Sequence, residues 1–315
     1  MLDRRGVTTG LIASTIAGQL RAATPDSLEG YAVVPGGKVW WRKVGSGSRT
    51  ALLTLHGGPG AGHDYLTPLE ALANQRPVVL YDQLGCGRSD KPDDPTLWHI
   101  DRFCDEIDSL RSQLGLEKVI LYGHSWGGWL ALEYLARRGA HAAVHGLVLA
   151  STSASMKQFV NGADRLLRAM PGGVAMRLKA LKAEGKTDSD EYARLVGRFY
   201  DAYLINMANP PAFSGASAHN IETSRTYPIM NGPNEFTVTG NLRDWNQSAS
   251  LAHIRIPTLV LTSTLDEFSL DCAETLHRGI RGSKLVVLRS ARHLAMVEQP
   301  NAYVAVLRSF LGTLR

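Results

Sequence analysis

Val119-Ile120-Leu121-Tyr122-Gly123-His124-Ser125-Trp126-Gly127-Gly128 is the stretch that decides the fold. Four apolar residues read as a buried strand, a small-x-Ser-x-small turn breaks the pattern, and a helical pattern follows from Trp129 to Arg138. A serine on so tight a turn tolerates no bulk beside it. Gly123 and Gly127 are therefore steric requirements, and the serine Oγ is pushed out above the end of the strand. The same turn aims the Trp126 backbone N–H at a developing oxyanion, next to a helix start whose dipole favours negative charge.

Other segments supply the parts such a serine needs. The strand Ala51-Leu52-Leu53-Thr54-Leu55 runs into His56-Gly57-Gly58-Pro59-Gly60, a loop in which a backbone N–H can approach the same oxyanion with no Cβ in the way. Gly58 is the expected second donor, beside Trp126. Downstream, Pro257-Thr258-Leu259-Val260-Leu261-Thr262 reads as a buried strand, and the first acids after it are Asp266 and Glu267. Asp266 is the better candidate to orient an imidazole. The strand Lys284-Leu285-Val286-Val287-Leu288 is followed by Ser290-Ala291-Arg292-His293 and then by a helix from about 301. Of the ten histidines, His293 is chosen as the base by this position. Ser125, Asp266 and His293 thus each lie just past the C-terminal end of an expected strand, where open α/β sheets hold their chemistry. His56 and His124 sit inside the motif turns and read as supporting groups.

The combination of HGGPG, Tyr81-Asp82-Gln83-Leu84-Gly85-Cys86-Gly87-Arg88-Ser89 and GHSWGG resembles the proline iminopeptidase family of α/β-hydrolases. The segment Met230-Asn231-Gly232-Pro233-Asn234-Glu235-Phe236-Thr237-Val238-Thr239-Gly240 is similar to the branch of tricorn-interacting aminopeptidases. The likeness runs from about residue 30 to the C-terminus. It implies a serine hydrolase that releases N-terminal proline or other small or apolar residues from peptides or amino-acid amides through an acyl-enzyme. It also implies an acidic pair for the substrate's α-ammonium, because a buried ammonium needs a carboxylate partner. Glu235 carries over to one member of the pair, and Asp201 and Glu222 are the candidates for the other. Without a second acid the reading moves toward an amino-acid amidase, or an esterase or lactonase with no strict need for a free amine. The chain departs from the family at Ser263, where glycine is common three residues before the acid, and at Leu270, where proline often follows it.

Length and composition fit one large domain. The chain has 315 residues, 44% hydrophobic, in alternating strand and helix patterns that can bury a full core. The expected fold class is α/β: an α/β-hydrolase fold with a mostly parallel sheet flanked by helices and a helical cap inserted before the acid-bearing strand. Strands are expected near 31–34, 38–44, 51–55, 77–81, 118–122, 146–150, 257–262 and 284–288. The core then spans 24–151 and 251–315. The cap spans 152–250, with helical stretches at Ala163 to Met170, Val174 to Glu184 and Glu191 to Met207.

No HExxH, paired CxxC or carboxylate cluster calls for a metal, and no cofactor is expected. The net charge of +5 is spread among nearly as many acids, with no basic stripe or aromatic platform of the kind nucleic-acid binding uses. Three cysteines cannot all pair internally, so no disulfide framework is implied. At the N-terminus, Arg4-Arg5, the mildly apolar run Gly6 to Leu20 and the pair Ala22-Ala23 resemble a twin-arginine signal over residues 1–23. Asp3 and Thr8 fit that pattern imperfectly. The expected location is periplasmic or exported, the alternative being a leader on a cytoplasmic enzyme, and the apolar run is too short for a membrane span.

Overall fold

The computed structural model describes residues 26–139, 143–208 and 214–314, so the twin-arginine reading lies outside the described residues. Eight strands form one sheet: β1 (Ser27–Val34), β2 (Gly37–Val44), β3 (Ala51–Leu55), β4 (Val78–Tyr81), β5 (Val119–His124), β6 (Val144–Ala150), β7 (Thr258–Leu265) and β8 (Lys284–Arg292). Their order across the sheet is β1-β2-β4-β3-β5-β6-β7-β8. β1 and β2 form a hairpin, β2 meets β4 antiparallel, and every other pairing is parallel. The α/β-hydrolase architecture expected from the sequence is therefore present.

The runs of β3, β4 and the start of β5 are continuously apolar or buried because both faces of the sheet's centre are covered. Alternate side chains divide between two cores. Leu53, Leu121, Leu147 and Leu149 pack on one face with α1 (Ile100–Gln113), α2 (Trp126–Arg138) and residues of the helices between β6 and β7. Leu52, Ile120, Tyr122 and Val148 pack on the other with Tyr65, Leu69, Tyr303 and Leu307. Cys86, Cys104 and Cys272 are buried and unpaired as disulfides.

Between β6 and β7 the chain carries α3 (Met156–Ala169), α4 (Val174–Ala183), α5 (Asp190–Tyr203), α6 (Ser214–Thr223) and α7 (Thr226–Met230). α3 starts a full two turns before the helix expected at Ala163, because Ser155 caps it by accepting the Gln158 N–H. Ser155 and Asn246 pair as an antiparallel bridge, so the insertion leaves and rejoins the core at one place. Glu133 on α2 fastens that place by accepting from Trp245 Nε1 (3.0 Å) and Gln247 Nε2 (2.6 Å).

The last helices are α8 (Leu270–Gly279), α9 (Ala295–Glu298) and α10 (Pro300–Gly312). β7 and β8 run further than their apolar cores suggest, and Leu265 pairs with Arg292 across their ends. Asp266 and His293, the next residues on each strand, consequently leave the sheet side by side. The Ser263 hydroxyl, at the position where the family commonly has glycine, donates to Arg292 O (2.7 Å) and ties the two strand ends together. Among the described residues no helix is long and apolar enough to cross a membrane.

Candidate active site

Ser125 has φ 56° and ψ −124°, a conformation that side chains rarely adopt and that the surroundings must impose. Its N–H donates to Ala150 O (3.0 Å), and its C=O accepts from the Thr152 hydroxyl (2.8 Å), so the end of β6 grips the turn. A Cβ on Gly123 would stand 2.3 Å from Gly127 O, and one on Gly127 would stand 2.0 Å from Leu55 O. The steric reading of the motif is met atom by atom.

Gly57 donates its N–H to Tyr65 Oη (2.6 Å). The Gly58 N–H enters no other hydrogen bond among the described residues, and Gly58 lines the cavity with Ser125, as a second oxyanion donor should. Tyr65 O–H in turn donates to His124 Nδ1 (2.9 Å), and His124 Nε2–H donates to His293 O (3.1 Å). Burial, with His293 beside it, holds His124 well below its ordinary pKa, so this ring is a neutral strut between the glycine loop and the His293 loop.

His293 Nδ1 donates to Asp266 Oδ1 (2.8 Å). That oxygen also accepts from Phe268 N–H (3.0 Å), and Oδ2 accepts from the Thr262 hydroxyl (3.2 Å). Glu267 lies on the other edge of the imidazole, with Oε1 3.5 Å from Nε2. Of the two neighbouring acids, Asp266 is therefore the one that orients the ring. Burial alone would lower the His293 pKa, but the Glu267 and Asp266 carboxylates outweigh it and raise it. The backbone of α5 braces this loop, Tyr203 O and Leu204 O accepting from the N–H groups of His293 and Leu294.

These residues open into a cavity of about 850 Å³, roofed by α5, α6 and α7. One wall is aromatic: Phe159 stacks on Phe268 with centroids 4.1 Å apart, and Phe268 stacks on His293. Glu235 faces the same space. The Tyr227 hydroxyl (2.7 Å) and the Tyr200 hydroxyl each donate to one of its oxygens. Burial and then Glu235 itself hold both phenols well above their ordinary pKa, so they remain donors.

The other two amine-binding candidates fare differently. Glu222 lies among the lining residues but is solvent-exposed. Asp201 is not brought to the cavity. It sits near the end of α5 on the exposed side, where its carboxylate accepts Met207 N–H (2.9 Å), a helical step of about 100° away from the cavity-lining Tyr200. The buried carboxylate that stands with Glu235 in the cavity is Glu267. Sequence reasoning weighed Glu267 only as a rival to Asp266. The available signal was the adjacency of two acids at a strand end, where one can turn toward each edge of the histidine. Tyr200 and Tyr227, which hold Glu235, were also missed.

His56, Asp82 and Cys86 bring ligand-type atoms within 4.8 Å of one another. Those atoms are already occupied: His56 Nε2 accepts Gln83 N–H (3.0 Å), while Asp82 accepts from His63 and from Arg88 N–H. The cluster locks the HGGPG and DQLGCGRS loops together and offers no free coordination position.

The comparisons with known proteins agree with this geometry. A family model described as the alpha/beta hydrolase fold matches residues 50–300. A proline iminopeptidase of Saccharolobus solfataricus is 37% identical over 286 residues, covering 90% of this chain and 92% of that protein. The crystal structure of VinJ superposes with a TM-score of 0.86 at 34% identity, covering 92% of this chain and all of that one. That of a proline iminopeptidase from Mycobacterium smegmatis superposes with a TM-score of 0.84 at 28% identity, covering 90% of this chain and 98% of that one. With the elbow, the glycine loop and the paired strand ends in place, the chain belongs to the proline iminopeptidase family of α/β-hydrolases.

Proposed function

We propose that the protein is a serine aminopeptidase that releases proline or another small or apolar residue from the free N-terminus of short peptides or amino-acid amides. The observation that carries this reading is the pair Glu235 and Glu267, two carboxylates in one cavity with Ser125 and His293. Holding two carboxylates in one cavity, Glu267 buried and Glu235 half-buried, is costly without a cation, and an α-ammonium is the cation a substrate brings. An esterase or lactonase that ignores the amine would have no use for Glu267, whose Oε2 has no hydrogen-bond partner among the described residues. The aromatic wall of Phe159, Phe268 and Trp129 offers an apolar slot for the substrate side chain.

In the proposed mechanism Ser125 attacks the carbonyl while His293 Nε2 takes its proton. Asp266 holds the ring in the Nδ1–H tautomer and stabilises the imidazolium. The N–H groups of Gly58 and Trp126 receive the oxyanion, each worth about 3 kcal/mol. His293 then protonates the leaving amine, and water releases the acyl-enzyme. The relatives named proline iminopeptidase support this assignment of substrate class.

The test is a panel of proline, alanine and phenylalanine p-nitroanilides, each beside its N-acetyl counterpart, the matching amide and a simple ester. Free-amine anilides or amides should lead. N-blocked compounds turned over as fast as free ones would remove the aminopeptidase reading.

A further inference from the structure

Glu267 faces two ways. Its Oε1 lies 3.5 Å from His293 Nε2, the nitrogen left free by the Nδ1 bond to Asp266 and the one that must accept the Ser125 proton. Its Oε2 is buried without a hydrogen-bond partner among the described residues. The two side chains are only 3% and 4% exposed, so water screens their interaction little. We propose that Glu267 makes the general base conditional on the substrate's ammonium: in the free site one proton is shared between His293 Nε2 and Glu267, and an ammonium docking at Glu267 and Glu235 displaces it to solvent. The proposal rests on the amine-binding reading above and deepens it.

The charges around the imidazole explain why. His293 is faced by Asp266 and Glu267 from the loop after β7 and by Glu235 from the loop after α7. Tyr200 and Tyr227 meet this group as neutral donors through Glu235, and His124 is neutral. Three carboxylates in a poorly solvated pocket retain a proton. Burial, followed by the like charges of Glu235 and Asp266, pushes the Glu267 carboxyl up to about 8 even though His293 opposes the shift. An arriving ammonium supplies the positive charge that the proton supplied and makes it dispensable. The balance is one ammonium in and one proton out to water, with no covalent bond changed. The Nε2 lone pair is then free to take the Ser125 hydroxyl proton as Oγ attacks.

A neutral ester brings no ammonium and meets a base that still holds its proton until the pH rises past the pair's titration. Selectivity for free amines then enters through availability of the base as well as through binding.

The first experiment follows kcat/KM for p-nitrophenyl acetate against pH, in the wild type and in Glu267→Gln. Removing the carboxylate should move the acid limb down by about one pH unit and raise ester turnover near pH 6 by about tenfold. Hydrolysis of alanine p-nitroanilide should fall in the same variant. An acid limb left at its wild-type position would mean that Glu267 is an amine clamp alone, and would overturn the proposal. The second experiment uses the wild type, so it does not depend on the variant folding. Calorimetry with L-prolinol, an amine with no scissile carbonyl, in two buffers of different ionisation enthalpy near pH 7 should show close to one proton released per molecule bound. Binding with no proton release overturns the coupling. Prolinol that fails to bind overturns the amine-binding reading instead, and the ester profile then decides whether Glu267 holds the proton on His293.

Discussion

At Ser125 the backbone is held in a strained turn by Ala150 O and Thr152, and nothing in the side chain's own chemistry requires that expense except exposure of its Oγ. Ser125→Ala should lower kcat by about 10⁴-fold or more while circular dichroism and the melting temperature stay near wild type, since the members of such a set act as one unit. Substantial residual turnover of the best substrate would contradict the assignment. The two acids beside His293 separate by the ring nitrogen they touch. Asp266→Asn should lose about 10⁴-fold in kcat on every substrate, amine or ester, because Asn no longer fixes the Nδ1–H tautomer. Glu267→Gln, by contrast, should discriminate between substrate classes. Steady-state kinetics on one anilide and one ester checks both statements, and a normal rate for Asp266→Asn would transfer the orienting role.

At the scale of elements, the close approach of α2 to β3 is set by glycine. A Cβ at Gly127 would meet the backbone of Leu55 and His56, which cannot swing aside as a side chain can. Gly127→Ala should therefore destabilise by about 3 kcal/mol or prevent folding, read out as a lowered urea midpoint. An unchanged midpoint would show that α2 can shift away from β3. The foot of the helical insertion depends on Glu133, whose carboxylate accepts from Arg137, Trp245 and Gln247. Glu133→Ala removes the acceptor from the last two donors, both partly buried, a cost of about 1 kcal/mol for each. A melting temperature lower by several degrees and faster proteolysis between 152 and 250 are the expected results.

The same scale shows what could be read from the sequence. Apolar runs such as Leu52-Leu53 and Val148-Leu149 fixed strand positions because burial on both faces leaves an unbroken signal. The ends of strands were less visible. The stretch 27–29 of β1 is exposed on the sheet edge and carries no apolar pattern, and the extension of β8 through Ser290 and Arg292 is polar. That extension is what sets His293 beside Asp266. Ser125, Asp266 and His293 were legible because each follows a strand closely, so sequence distance translates into position. Glu235 was legible through its motif, but Tyr200 and Tyr227, which hold it, were not, since the three lie on separate segments whose meeting depends on how the helices pack. Asp201 was chosen by residue type, and the helical turn sends it to solvent.

Over the whole molecule, the sheet positions Ser125 and His293, and in the proposed reading the segment between β6 and β7 brings the carboxylate of Glu235 that selects substrates with a free amine. The measurement that bears most directly on this division is the ratio of kcat/KM for alanine p-nitroanilide to that for N-acetylalanine p-nitroanilide, in the wild type and in Glu235→Gln. Removing one carboxylate from a desolvated ammonium costs roughly 3–5 kcal/mol when the site is fully buried. The ratio should accordingly favour the free amine strongly in the wild type and fall by about 10²-fold or more in the variant, through KM on the free-amine substrate, with the N-acetyl substrate little changed. A wild-type ratio near one, or equal losses on both substrates in Glu235→Gln, would contradict it.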